Sequence, residues 1–188
     1  PHLGTDKLRT IVDDLKALIE YYGGEFKFSS TVTDIIVDND KVKGVVVNDK
    51  DEFLSDVVIM GIGNGARDTF KMLHKHNVSM VSKSFALGFR VEHLREDIDR
   101  CCYSDYAGHK VLGAADYNLT YHDEETKKGV YSFCNCPGGV VVAGASSKGQ
   151  VVTNGMSFRS RNMINTNSAI VVNVNENDYG NDLFSGIK

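Results

Sequence analysis

Apolar residues recur at three- and four-residue steps near the start of the chain. Leu8, Ile11, Val12, Leu15, Leu18 and Ile19 fall on one face, which predicts an amphipathic helix over residues 3–22. Thr5 is placed to cap it, Asp6 to sit at its positive end, and Gly23-Gly24 to end it. The period then shortens to two. Residues 25–29 (EFKFS) predict a short strand, and residues 31–38 (TVTDIIVD) and 42–48 (VKGVVVN) predict two longer ones. The polar link Asn39-Asp40-Lys41 is short enough to make these a hairpin. Residues 51–54 predict a further short strand. An apolar strand at residues 57–60 then stops at Gly61, and residues 66–76 follow as a helix with Phe70 and Leu73 turned inward.

The pattern changes past Val78. Residues 84–93 (SFALGFRVEH) predict a strand and residues 94–103 a short charged helix, while residues 105–118 are rich in loop signals. Candidate strands follow at 119–122, 130–134, 140–145 and 168–174, punctuated by Gly138-Gly139, Gly144 and Gly155. Residues 173–188 are polar and predict an exit linker. No internal repeat is visible. The chain therefore divides into an α/β half with a hairpin, up to about Val81, and a mainly-β half from about Ser84, with the boundary within 79–84.

Composition narrows the class. The chain has 188 residues, 41% hydrophobic and 24% charged, as in ordinary globular proteins. A net charge of −4 without a basic tract argues against nucleic acid, whose phosphates require clustered Lys and Arg. No apolar run approaches the roughly 20 residues that span a bilayer, and no secretory signal opens the chain. The opening Pro1-His2, without a methionine, predicts a piece of a longer protein. Four cysteines, as Cys101-Cys102 and Cys134-x-Cys136, are too few and too tightly paired for a secreted disulfide framework, which predicts a reducing cytoplasm.

The segment Val57-Val58-Ile59-Met60-Gly61-Ile62-Gly63-Asn64-Gly65-Ala66 places Gly61-x-Gly63-x-x-Ala66 between a strand and a helix. That is the arrangement that lets backbone N–H groups approach a dinucleotide phosphate. A tight turn calls for glycine without any ligand as well. An independent dinucleotide-binding unit would carry the glycines after its first strand, with a carboxylate about 20 residues on. Here a helix, a strand and a hairpin come first, and Val81, Ser82, Lys83 and Ser84 occupy the downstream positions. The turn therefore reads as a late strand end.

The runs GTDKLRTIVDDLK, STVTDIIVDNDKVKGVVVND, DVVIMGIGNGARDTF, SFALGFRVEH, YSFCNCPGGVVVAGAS and VVTNGMS resemble bacterial FAD-dependent dehydrogenases, a group of flavoproteins with two dinucleotide-binding domains. The resemblance covers nearly the whole chain. It implies a partial FAD/NAD(P)-binding domain segment at 1–83, an inserted β-rich substrate domain at 84–180 and a return linker at 181–188. It implies that Val32 meets the adenine of FAD through its backbone, and that Gly61, Gly63 and Ala66 let the chain pass close to the cofactor. It further implies hydride transfer at the flavin on a small-molecule substrate, with NAD(P)H a candidate electron donor and the remainder of the protein's own chain as partner. Two departures stand out. The strand end reads MGIGNGA instead of an Ala-Thr-Gly type turn, and the N-terminal phosphate loop and the C-terminal flavin-closing segment lie outside these residues. The expectation is FAD in the full-length protein and no firm retention by this piece. A non-enzymatic binding or assembly domain, its glycine turn purely structural, is the alternative.

Three further positions are candidate catalytic residues. Arg90 has the planar fork that suits a carboxylate, and His93 is of a residue type that can donate or accept a proton. Strand alternation puts Arg90 with Glu92 on one face and His93 with Val91 on the other, so one face alone does not carry both Arg90 and His93, and Arg90–Glu92 could be a plain surface pair. Cys136, in Cys134-Asn135-Cys136-Pro137-Gly138-Gly139, could be a thiol beside flavin or half of a redox pair; the plain alternative is a turn with one packed and one exposed thiol. Zinc would need two more ligands, and adjacent Cys101-Cys102 fit one tetrahedron poorly. No metal site is predicted. Arg67-Asp68 suits a helix start. Five tyrosines, among them Tyr117, with His109 and His122 form an aromatic cluster in sequence that suits either a flat substrate or a core.

Overall fold

A computed structural model describes residues 2–145 and 147–187. In chain order the elements are helix α1 (Thr5–Tyr21), strands β1 (Val32–Asp38), β2 (Lys41–Val47) and β3 (Asp51–Leu54), helix α2 (Arg67–Lys75), strand β4 (Phe85–Leu94) and helix α3 (Arg95–Tyr103). Strands β5 (Thr120–His122), β6 (Gly129–Ala143), β7 (Thr153–Ser157) and β8 (Asn165–Val174) and the short helix α4 (Glu176–Tyr179) complete them. The fold is mixed α/β with sheet predominating. Contacts divide it into two compact units. One comprises Pro1–Tyr22 with Lys83–Tyr179, the other Gly23–Ser82 with Gly180–Lys188. Helix α1, which the sequence grouped with residues 1–83, is thus part of the unit that contains β4–β8.

The hairpin unit holds an antiparallel meander in the order β1-β2-β3. Its turns are built by short polar residues that tolerate a left-handed backbone: Asn39 and Asp40 have φ of 50° and 59°, and Asn48 and Asp49 have 54° and 58°. Helix α2 lies against β1. The imidazole Nε2 of His76 is 2.6 Å from the carboxylate of Asp34, which ties the helix end to the strand. That bond is the main reason the Asp34 carboxyl is held below its usual range. Phe184, in the segment expected to be a plain linker, packs edge-on against His74 at 5.6 Å. Two predicted strands are not formed. Residues 25–29 and 57–60 have strand-like patterns but join no ladder among the described residues, and a strand needs a ladder neighbour. Phe26 and Phe28 stack on each other, and Glu25 pairs with Lys27.

The sheet unit is an antiparallel sheet in the order β4-β8-β6-β5, with β7 on β6. The sequence read β6 as two strands around a Pro-Gly-Gly turn; it is one strand of 15 residues. Register shifts between Phe133 and Cys136 and between Cys136 and Gly139 bend it, as bulges do, so its first half pairs with β5 and β8 and its second half with β7. Gly155 likewise lies inside β7 instead of in a turn. Residues 173–174 belong to β8 and residues 176–179 form α4, so the polar tail is partly structured. Thr5 does not cap α1; Gly4 takes that position with no side-chain cap. The helix start is held otherwise. The backbone N–H of Arg159 donates to the Asp6 carboxylate at 2.8 Å, and His2 Nε2 lies 3.1 Å from the Phe158 carbonyl oxygen.

The interior of the sheet unit is polar. Its largest fully buried side chains are Asn167, Thr166, Pro137 and Ser168, while Leu87, Phe89 and Phe133 are exposed, as is the apolar face of α1. Burying polar side chains costs free energy unless their hydrogen bonds are made, so this centre is the first place to look for chemistry.

Candidate functional site

Residues 57–63 join no ladder among the described residues, yet a period of two persists in the burial of residues 57–60. Val58 and Met60 are half-buried, and Val57 and Ile59 are exposed. Gly63 has a left-handed φ of 67°, which favours glycine, whereas Gly61 has no such requirement. At both glycines the place a Cβ would take has no atom within 4 Å. Beside them is a cavity of about 410 Å³ lined by Val32, Val45, Val58, Met60, Gly61 and Ala66, among others. Of the four predicted cofactor-contacting residues, Val32, Gly61 and Ala66 share this wall; Gly63 does not line it. Ala66 is also the residue that precedes α2, and Asp68 occupies its first turn, where a carboxylate suits the helix dipole.

A second centre is built in the sheet unit by ladder register. Arg90 on β4 lies opposite Ala169 on β8, and Asn167 is the diagonal neighbour on the same face. Cys136 on β6 lies opposite Asn167 from the other side. The Arg90 guanidinium Nη1 donates to Asn167 Oδ1 at 2.7 Å and to the Cys134 carbonyl at 3.1 Å. The predicted surface pair of Arg90 with Glu92 is replaced by these inward bonds. Cys134 carries a left-handed φ of 54°, which turns its carbonyl to this use, and Cys136 is buried. Burial pushes the Cys136 thiol up, with Cys134 adding to the shift and the guanidinium groups of Arg90 and Arg161 opposing it. Cys136 is therefore a neutral thiol at neutral pH, a poor nucleophile. Of the catalytic candidates, Arg90 and Cys136 meet, and His93 is elsewhere.

His93 points to the other face of β4, where its Nε2 lies 2.6 Å from the Tyr117 hydroxyl. Burial raises the Tyr117 phenol. This pair borders an apolar cavity of about 510 Å³ with Val91, Ile98, Leu119 and Ile170. Sequence reasoning singled out neither Asn167 nor Arg161. The signal was there in Asn165-Thr166-Asn167-Ser168, a polar run entering an apolar strand. Solvent-facing alternation would have spaced such residues by two.

Among the described residues no group of three or more His, Cys, Asp or Glu is arranged to hold a metal ion, and no helix is long and apolar enough to cross a membrane. All four cysteines are free thiols.

Comparison with known proteins places residues 84–188 in a family described as FAD-dependent protein, C-terminal domain-like. An uncharacterized protein of Clostridium beijerinckii (strain ATCC 51743 / NCIMB 8052) is 46% identical over 178 residues, which cover 95% of this chain. The match covers 33% of that relative, so the chain spans about a third of its length.

Proposed function

The chain belongs to the family of FAD-dependent proteins, and from that premise we propose that it is the central segment of an FAD-dependent dehydrogenase. The cavity beside Gly61 fits one wall of such a cofactor. The bare Cα of Gly61 and the left-handed Gly63 leave open the volume a side chain would fill, and Val32 and Ala66 border the same space. No cationic side chain lines that cavity among the described residues, so the chain offers a surface to lie against and no grip on a pyrophosphate. The flavin supplies hydride transfer when bound, and the protein supplies position and electrostatics. In this reading Val32, Gly61 and Ala66 contact the cofactor, and the unit of β4–β8 holds a small-molecule substrate.

The observation that carries the reading is the family match, supported by the cavity wall that Val32, Gly61 and Ala66 share. The segment 57–60, which joins no ladder among the described residues, supports a longer protein that completes it. Free thiols suit a reducing cytoplasm. The test is the visible spectrum of the full-length protein after reconstitution with FAD. Oxidised-flavin bands that bleach when a reductant substrate or NAD(P)H is added support the dehydrogenase. A colourless protein after reconstitution rejects it.

A further inference from the structure

An apolar cavity of about 510 Å³ lies between the sheet and helix α3, wholly within the unit of β4–β8. Its floor is one face of the sheet. Val91 and His93 alternate onto the same side of β4. Ile170 on β8 joins them, because it lies opposite Phe89, two residues from Val91. The facing wall comes from α3, where Ile98, Cys101 and Cys102 are spaced by three and four residues and share a helix face. Tyr117 and Leu119, from the segment that leads into β5, complete the lining.

Hydrogen bonds outside the cavity hold its walls in place. The backbone N–H of Arg95, at the start of α3, donates to the Ile164 carbonyl at 2.9 Å. The buried carboxylate of Asp99 on α3 accepts the Ala115 N–H at 2.7 Å, which ties the helix to the segment carrying Tyr117. The Leu119 N–H donates to Ser132 Oγ at 2.8 Å, and Asn135 Nδ2 donates to the Tyr117 carbonyl. Pre-formed clefts of about 300–1,000 Å³, with apolar walls and a few placed polar groups, are the usual form of small-molecule sites. The polar group here is the His93–Tyr117 pair. Burial keeps the Tyr117 phenol protonated at neutral pH, and Ser168 also bonds to it. A phenolic hydroxyl donates once and accepts through its lone pairs, so its bonds to His93 and Ser168 leave it one position. The tautomer of His93 decides whether that position gives or receives a hydrogen, and a ligand hydroxyl, which does both, meets either. No Lys, Arg, Asp or Glu lines the cavity, so a charged ligand would lose its hydration without a charged partner.

We propose that this cavity binds a small neutral aromatic alcohol, its ring between α3 and the sheet and its hydroxyl bonded to Tyr117. A flat ring puts carbon against the aliphatic walls on both sides and has no rotors to freeze. The proposal names a class of ligand and not a reaction. Binding there needs no flavin, so its outcome is separate from that of the dehydrogenase reading.

The test uses the full-length protein as purified, with 2-naphthol as the probe and naphthalene and 2-naphthoate as comparison compounds. Binding is read by calorimetry and by the rate at which N-ethylmaleimide alkylates each cysteine, resolved by peptide mass spectrometry. 2-Naphthol is expected to bind with a Kd of about 10–100 μM and, at saturation, to slow alkylation of Cys101 and Cys102 about fivefold or more. Cys134, exposed and outside the cavity, should react at an unchanged rate. Naphthalene should bind about fivefold more weakly for lack of the hydroxyl, and 2-naphthoate about tenfold or more weakly for lack of a cation. Tyr117→Phe should abolish the preference for 2-naphthol over naphthalene, which a loss of packing alone would not do. The proposal is overturned if 2-naphthol does not protect Cys101 and Cys102, protects Cys134 equally, or binds no more tightly than either comparison compound. A preference that survives in Tyr117→Phe overturns it as well. If that variant fails to fold by circular dichroism, the ranking of the three compounds on the unmodified protein decides the matter.

Discussion

Two glycine-containing stretches of this molecule use glycine for opposite reasons. At Gly61 and Gly63 no atom lies where a side chain would go. At Gly138, Gly139 and Gly155 the space is already taken. A Cβ at Gly138 would overlap the carbonyl of Arg161, one at Gly139 the carbonyl of Met156, and one at Gly155 the Arg90–Asn167–Cys136 cluster. The second set is explained by packing within the chain, which needs close backbone approach to bend β6 and seat the polar centre. At Gly61 packing within the chain makes no such demand, and the cofactor contact proposed there gives a reason for a bare Cα that substitution can test. A glycine motif gains functional meaning only after the packing explanation has been tested at each position.

That contrast can be broken by substitution. The largest effect is expected for Gly138→Ala, which combines a left-handed φ of 54° with a backbone clash. It should destabilise the sheet unit by about 3 kcal/mol, read as a fall in urea midpoint with unchanged m-value. Next comes Asn167→Ala, which strips Arg90 of its side-chain acceptor in a buried setting and should cost about 2 kcal/mol by the same assay. A smaller effect is expected at the tie that holds α2 to β1. Asp34→Asn should cost about 0.5 kcal/mol, since the pair is substantially exposed and screened. The pH dependence of that cost follows from the lowered Asp34 carboxyl. The stabilisation is fully present above the ordinary value of 3.8 and is lost as pH falls through the lower folded value, so variant and parent should converge in strong acid. The smallest effect belongs to Gly61→Ala, which should change the stability of this chain by less than about 0.5 kcal/mol. A loss at Gly61 as large as that at Gly138 would erase the distinction.

Local elements were legible because their causes are local. The hairpin follows from Asn39-Asp40, and α2 and α3 from periodic apolar and charged positions. The merging of β6 was not legible. Gly138-Gly139 satisfies every short-range sign of a turn, and only the later arrival of Met156 and Arg161 against those glycines shows why they are there. The apolar pattern at residues 57–60 is strand-like, but a strand also needs a neighbour, which the pattern cannot supply. The same holds for α1, whose amphipathic face was read correctly from sequence yet lies exposed in the sheet unit. The polar centre was half visible. Arg90 and Cys136 stood out by residue type, and alternation separated Arg90 from His93. Their meeting depends on the registers of β4 and β6 on β8, which bring together positions 46 residues apart in the chain.

The claim that Gly61 is bare for a cofactor is tested most directly by FAD titration of the full-length protein and its Gly61→Val variant, with folding of both checked by circular dichroism. A side chain in that space should weaken FAD binding tenfold or more, about 1.4 kcal/mol or greater, while the fold is unchanged. Equal FAD affinity in the two proteins would contradict the account.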